Sequence, residues 1–285
     1  MRLICQKRCI IGEGPIWNPM EKRLYFVNGM GGEICALNMK DLSLSVRSVA
    51  PGVSAMAFDT EGRLLVSRPD GVFVLNENDS ITHLYDPSVY RIQYANDMKV
   101  GPDGRLYVGT QSEWRKKISE RKDGKLYSID KDGRVRVLLD GLMLSNGMDW
   151  SMDEKRFYHT DSDTHTIREY AFDKQSGDIE YTGREIPLRG VDGFTVDRED
   201  RILAASWGRG VIAVIDTKEM KLVSEIKVPA NIPASCGFAG DNMEYLAIVT
   251  ASYHADLEAD PNAGFTYLMK PENAGRAPYL FGYLG

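Results

Sequence analysis

The sequence predicts an all-β chain folded as a six-bladed β-propeller. Three observations carry that expectation. Six strand-turn-strand units recur along the 285 residues. Apolar anchors at Trp17, Phe58, Val100, Trp150, Val196 and Phe238 space them by 41, 42, 50, 46 and 42 residues, the length of four short strands with their turns. Helical periodicity is weak throughout.

The units follow in order as "PIWNPMEKRLYFV", "MAFDTEGRLLVS", "MKVGPDGRLYVGT", "MDWSMDEKRFYHT", "FTVDREDRILAAS" and "CGFAGDNMEYLAIVT". In each, a turn drawn mostly from Asp, Gly, Pro and Asn separates the anchor from a second apolar strand, as a hairpin requires. "SEWRKKISERKDGKLYSI" in the third repeat reads as a charged loop entering a strand. Residues 2–11, "RLICQKRCII", precede the first unit and are strand-like. They are expected to supply an outer strand to the last blade and so close the ring. Packing of blades side by side lets residues 1–285 form a single domain.

Composition narrows the functional classes. Apolar residues make up 43% and charged residues 27%, as in ordinary globular proteins. The net charge is −6, with Lys and Arg scattered, which argues against a nucleic-acid footprint. No apolar run approaches the roughly 20 residues of a membrane span, and Arg2, Lys7 and Arg8 interrupt the N-terminus, so neither a membrane partner nor a signal peptide is expected. The expected compartment is the cytoplasm. Cys5, Cys9, Cys35 and Cys236 lack C-x-x-C spacing and read as free buried thiols.

The residue four places before each anchor is Glu13, Ser54, Asn96, Asn146, Asp192 and Ala234 in turn, followed by a mostly small residue. If the innermost strands converge on an axis, Glu13, Asn96, Asn146 and Asp192 face one channel. Two carboxylates there repel unless a cation lies between them. Carboxylate and amide oxygens suit Ca²⁺, Mg²⁺ or Mn²⁺ and do not exclude Zn²⁺ or Fe²⁺. The alternative is that these groups cap strands or bridge waters.

Other motifs carry less. In "HTDSDTH", a strand followed by a turn puts His159, Asp161, Asp163 and His165 on different faces, so they read as surface and turn residues, with Asp161 bonding backbone near the channel. "SWGRG" has no helix after it to bind phosphate. No G-x-S-x-G supports a serine hydrolase. Trp114, Trp207, Tyr94, Tyr253 and His254 are candidates either for pocket walls or for packing between blades.

The blocks "GEGPIWNP", "NDMKVGPDGRLYVGT", "SNGMDWSMDEKRFYHTDS" and "DGFTVDREDRILAASWG" resemble the SMP-30/gluconolactonase family of regucalcin-like lactonases, in order and over nearly the whole chain. The resemblance implies a six-bladed propeller with one divalent ion in its central channel, held by Glu13, Asn146 and Asp192. It places Asn96 beside substrate and water, and gives Asp192 a second role as general base. Many sugar-lactone members carry Arg two residues before that Asn; here the position is Tyr94, with Arg91 or Gln93 left to compensate. Glu113 matches a further substrate contact. The implied activity is a carboxylic-ester hydrolase that opens a sugar-derived aldonolactone to the aldonic acid, with the metal as Lewis acid. Two alternatives stay open: an organophosphate or aryl-ester hydrolase on the same scaffold, and a non-catalytic metal-binding or interaction propeller.

Overall fold

The computed structural model describes residues 1–113 and 122–282. It contains no α-helix among those residues, and no helix long and apolar enough to cross a membrane. Twenty-four strands form six four-stranded antiparallel sheets. The first sheet holds β2 (Gly12–Asn18), β3 (Arg23–Asn28), β4 (Glu33–Asn38) and β5 (Leu44–Ser48). The second holds β6 (Ala55–Phe58), β7 (Leu64–Arg68), β8 (Gly71–Leu75) and β9 (Ile81–His83). The third is β10 (Ala95–Val100), β11 (Leu106–Thr110), β12 (Gly124–Ile129) and β13 (Val135–Leu142). The fourth is β14 (Ser145–Trp150), β15 (Arg156–Asp161), β16 (Thr166–Asp173) and β17 (Asp178–Pro187). The fifth is β18 (Val191–Val196), β19 (Arg201–Ser206), β20 (Val211–Asp216) and β21 (Lys221–Lys227). The sixth comprises β22 (Pro233–Ala239), β23 (Tyr245–Thr250), β24 (Thr266–Met269) and, at its outer edge, β1 (Arg2–Cys5).

The N-terminal strand is shorter than the sequence suggests. Only Arg2–Cys5 pairs with β24, because from Lys7 onward the chain leaves that edge: Lys7 forms an ion pair with Glu33 on β4, and the Ile10 N–H donates to Asn28 Oδ1.

Two compact units divide the chain. The first, Met1–Val53 with Leu188–Pro278, contains the first, fifth and sixth sheets; in it β22 packs against both β2 and β18. Its core gathers Trp17, Leu24, Phe26, Leu37, Ile212 and Ile248. The second, Ser54–Pro187 with the C-terminal residues from Tyr279, contains the other three sheets, with β10 packed against β6 and β14. Leu65, Ile92, Leu106 and Ile129 fill one part of its core. Trp150 packs on Tyr107 and Phe157 in the other, at ring separations of 4.8 and 4.9 Å.

The fourth strand is the most exposed in every sheet. β14 and β18 are buried throughout, whereas β9 and most of β21 are exposed. The apolar anchors lie on first strands for this reason, and the polar sequences of "KLVSEIK" and "DIEYTGREIP" lie on fourth strands. The turns after the anchors are locally built. Asp59 accepts N–H groups of Glu61 and Arg63 and pairs with the Arg63 guanidinium, and Asp197 does the same for Glu199 and Arg201.

Candidate active site on the first strands

Four of the six candidate positions share one local geometry. In β2, three residue steps from Glu13 to Ile16 oppose two on β3, from Val27 to Tyr25. The same extra residue is inserted in β10 between Ala95 and Met98, in β14 between Ser145 and Met148, and in β18 between Val191 and Phe194. Each insertion is a β-bulge, which bends the strand and re-aims its side chains. Asn96, Asn146 and Asp192 lie inside their bulges, and Glu13, paired with Val27, is the residue that opens its own. "LSNG" therefore belongs in a buried strand: Asn146 is 5% and Asp192 6% exposed, while Glu13 and Asn96 are half-buried.

Small residues after the candidates have separate reasons. Gly14 has φ +55°, a left-handed conformation that favours glycine. Gly193 lies against the sixth sheet, where a Cβ would meet Ser235 Oγ at 2.2 Å. The two remaining positions differ. β6 pairs with β7 without a bulge, and Ser54, just before it, donates from Oγ to the Ala95 carbonyl at 3.1 Å. Ala234 is fully buried and apolar, although β22 too shifts register there, between Pro233 and Ser235.

The first unit carries Glu13 and Asp192, and the second carries Asn96 and Asn146. Within the second unit a hydrogen-bond chain orients the Asn96 amide and anchors Ser145, the residue before Asn146. Asn96 Nδ2 donates to the Ser145 carbonyl at 3.1 Å, which directs Oδ1 away from β14 as an acceptor. Ser67 Oγ donates to the Asn96 carbonyl at 3.1 Å. Ser145 Oγ meets His159 Nε2 at 2.7 Å, diagonally across the bulge that holds Asn146. Asp161, the register partner of Ser145, accepts the Met143 and Leu144 N–H groups with its two oxygens, both at 2.9 Å.

This clasp alters the reading of "HTDSDTH". Asp161 does bond backbone, as expected. His159, however, is not a surface residue: it shares a face with Asp161, and both are buried, whereas Asp163 and His165 are exposed in or just after the 3-10 turn Ser162–Thr164. Burial pushes the His159 imidazole from 6.5 down to about 4, so the ring is neutral at neutral pH. In the unfolded chain the ring takes up a proton near its ordinary value, so acidification favours unfolding as pH falls from 6.5 to about 4. At about 1.4 kcal/mol per pH unit, the loss is on the order of 3 kcal/mol. Urea unfolding at pH 7 and pH 4.5 should show this loss in the native sequence and a clearly smaller one in His159→Gln.

Beside Asn96, half-buried Asp97 is pushed up to about 6 by burial, partly countered by Lys99, which also pairs with Asp149 at 3.1 Å. Tyr94 has φ +55°, and its carbonyl accepts the Gln111 N–H at 2.8 Å. Arg91 is exposed; Glu113 is half-buried, its N–H bonded to Asp123. Trp207 is half-buried, and Tyr253 and His254 are exposed with their rings 4.0 Å apart. Trp114 and most of the charged loop after it lie outside the described residues.

Sequence reasoning missed a second column. The second strand of every sheet carries a buried polar residue at its end or, in β7, one place before it: Asn28, Ser67, Thr110, Asp161, Ser206 and Thr250. Most of them tie down nearby backbone, as when Thr110 Oγ1 accepts the Lys125 N–H and Thr250 Oγ1 donates to the Phe265 carbonyl. The signal stood at the close of each repeat, in endings such as "LLVS", "YVGT" and "AIVT". Ser206 Oγ is the exception, buried without a protein partner. Ser206→Ala should therefore change stability by less than about 0.5 kcal/mol, or raise it. Ser67→Ala, which strands the Ala55 N–H, should cost about 1–3 kcal/mol in the same urea titration.

The model of the family described as SMP-30/Gluconolactonase/LRE-like region matches residues 11–252. The chain belongs to that family. It is 30% identical over 283 residues to a Bacillus subtilis protein provisionally named sugar lactone lactonase YvrE, covering 96% of each chain. It is 27% identical over 289 residues to human regucalcin, covering 98% of this chain and 97% of the relative. The fold is similar to the crystal structure of a calcium-binding regucalcin from Agrobacterium tumefaciens, with a TM-score of 0.87 at 23% identity over 98% and 96% of the two chains. The six sheets are the blades of a β-propeller.

Proposed function

We propose that this family member is a metal-dependent lactonase that hydrolyses a sugar-derived lactone to its aldonic acid. One observation carries the reading: the two acids and two amides of the family motifs all sit in or directly beside a one-residue insertion of a first strand, the strand feature suited to aiming side chains at a site. The name of the Bacillus relative and the calcium binding of the Agrobacterium protein support its substrate class and its metal.

The donor chemistry fits a hard divalent ion. Glu13 and Asp192 offer carboxylates, and Asn146 offers an amide oxygen. No group of three or more His, Cys, Asp or Glu poised for a metal is found among the described residues, so a site here draws on amide oxygens beside its acids. Ca²⁺, Mg²⁺, Mn²⁺, Zn²⁺ and Fe²⁺ are all compatible with oxygen ligands of this kind. Glu13, Asn146 and Asp192 would hold the ion. When bound, it supplies Lewis-acid stabilisation of the negative charge that develops on the lactone carbonyl oxygen.

The chain's own residues supply the rest. Asp192 takes a proton from the attacking water as general base. Asn96, its Nδ2 committed to the Ser145 carbonyl, presents Oδ1 to a substrate hydroxyl or to water. Glu13 contributes charge without proton transfer. Tyr94, Arg91 and Glu113 face the remaining substrate hydroxyls; Tyr94 in place of the family's Arg shifts preference toward a less polar lactone. The proposed partner is a small molecule, with neither nucleic acid nor membrane.

The test is hydrolysis of an aldonolactone panel by metal-stripped protein, with each of the five ions added back. Metal-dependent turnover above spontaneous ring opening is expected, and it should vanish in Asp192→Ala. Turnover of aryl esters or organophosphates alone would favour the apolar-ester alternative suggested by Tyr94. No turnover of any substrate by folded, metal-loaded protein would contradict the enzymatic reading.

A further inference from the structure

All four cysteines belong to the core of the first unit, and Cys5, Cys9 and Cys35 lie near its N-terminal end in sequence. The segment that joins β1 to β2 runs alongside the start of β4. Lys7 Nζ meets Glu33 Oε1 at 2.7 Å, and the Ile10 N–H reaches Asn28 Oδ1, whose amide in turn donates to Glu33 Oε2 at 2.7 Å. Glu33 and Cys35 are two residues apart on β4 and so share a face. Lys7 and Cys9 have the same two-residue spacing. The placement that pairs Lys7 with Glu33 thus brings Cys9 toward Cys35 in one buried cluster, where each thiol perturbs the other.

We propose that Cys9 and Cys35 form a dithiol that closes to a reversible disulfide when a hydroperoxide oxidises it. The two sulfurs have unequal roles. The neighbouring Cys35 and burial hold the Cys9 thiol protonated, whereas the neighbouring Cys9 thiol draws Cys35 below the ordinary thiol range against burial and the Glu33 charge. Cys35 is therefore the thiolate nucleophile. It attacks the terminal oxygen of the hydroperoxide, forming an S–O bond and breaking O–O; the alcohol, or water from hydrogen peroxide, leaves with one proton. Cys9 then attacks the Cys35 sulfenic acid. The S–S bond forms as S–O breaks, and the hydroxyl leaves as water with the Cys9 proton. Two thiols are oxidised and one peroxide O–O bond is reduced.

Both thiols are buried, so reaction proceeds through local opening of residues 6–11. That segment lies outside the regular strands and is anchored by separate contacts, including Cys9 N–H to the Gly264 carbonyl at 2.8 Å. Once closed, the disulfide would fasten to β4 the stretch of chain that leads directly into Glu13.

The experiment uses the native, unmodified chain. It is exposed to hydrogen peroxide at neutral pH, alkylated, digested without reductant and analysed by mass spectrometry. Met20, 90% exposed, reports in the same digest that peroxide was active. The expected product joins the Cys9 and Cys35 peptides with loss of two hydrogens and is reversed by dithiothreitol. In Cys9→Ser, dimedone should instead trap sulfenic acid on Cys35. Oxidised Met20 with Cys9 and Cys35 both alkylated as free thiols would overturn the proposal. So would Cys35 passing to sulfinic acid without a cross-link, or a cross-link joining Cys5 instead of Cys9. None of these outcomes depends on lactone turnover.

Discussion

Replacing Asp192 by Asn is expected to lower kcat on a sugar lactone by about 10²- to 10⁴-fold, the usual worth of a positioned general base. KM should stay close to its original value, because the amide keeps an oxygen donor and nearly the same shape, while proton abstraction exists only in the transition state. Asp192 is 6% exposed at the β18 bulge, so the substitution leaves a neutral group in place of a largely buried carboxylate. Kinetics measured at saturating metal separate the two roles assigned to this side chain. If excess metal restored full turnover, Asp192 would be a ligand alone and the base would lie elsewhere. If the variant retained full turnover without such excess, neither role would stand.

Asp161→Ala is expected to destabilise the protein by about 2–5 kcal/mol in urea unfolding. Its two oxygens accept the Met143 and Leu144 N–H groups just before β14, and removal strands both. A buried donor without a partner costs about 1–3 kcal/mol. The effect should also reach the site, because the freed segment leads into Ser145, which bonds His159 with its hydroxyl and Asn96 with its carbonyl. Asp161→Asn, which keeps one acceptor oxygen, should fall between the two. A loss below about 0.5 kcal/mol for the alanine variant would show that water satisfies these groups and that the clasp is not structural.

The blade pattern was legible because each repeat places a large apolar anchor on a buried first strand, and spacing survives substitution of any one residue. Glu13, Asn96, Asn146 and Asp192 were legible for the same reason, four places before those anchors. Their bulges were not: register is a property of two strands, and the insertion at Glu13 exists only relative to Val27 and Tyr25 on β3. His159 was misread because the turn was credited with separating all four groups, whereas His159 and Asp161, two apart on β15, face inward together and only Asp163 and His165 are turned outward by the 3-10 turn. Nothing in "LLVS" or "AIVT" says that the last hydroxyl turns inward to hold a neighbouring backbone group. The thiol pair was hidden by sequence separation, since Cys9 and Cys35 meet only through the placement that Lys7 and Glu33 establish.

The most direct test of the proposed site is an anomalous-difference map from crystals of the full chain grown with Mn²⁺, collected near the metal's absorption edge. The account predicts one strong peak bonded to oxygens of Glu13, Asn146 and Asp192 at about 2.0–2.6 Å, the range of hard-cation ligands. A peak held by other residues, or none under conditions that support turnover, would contradict it.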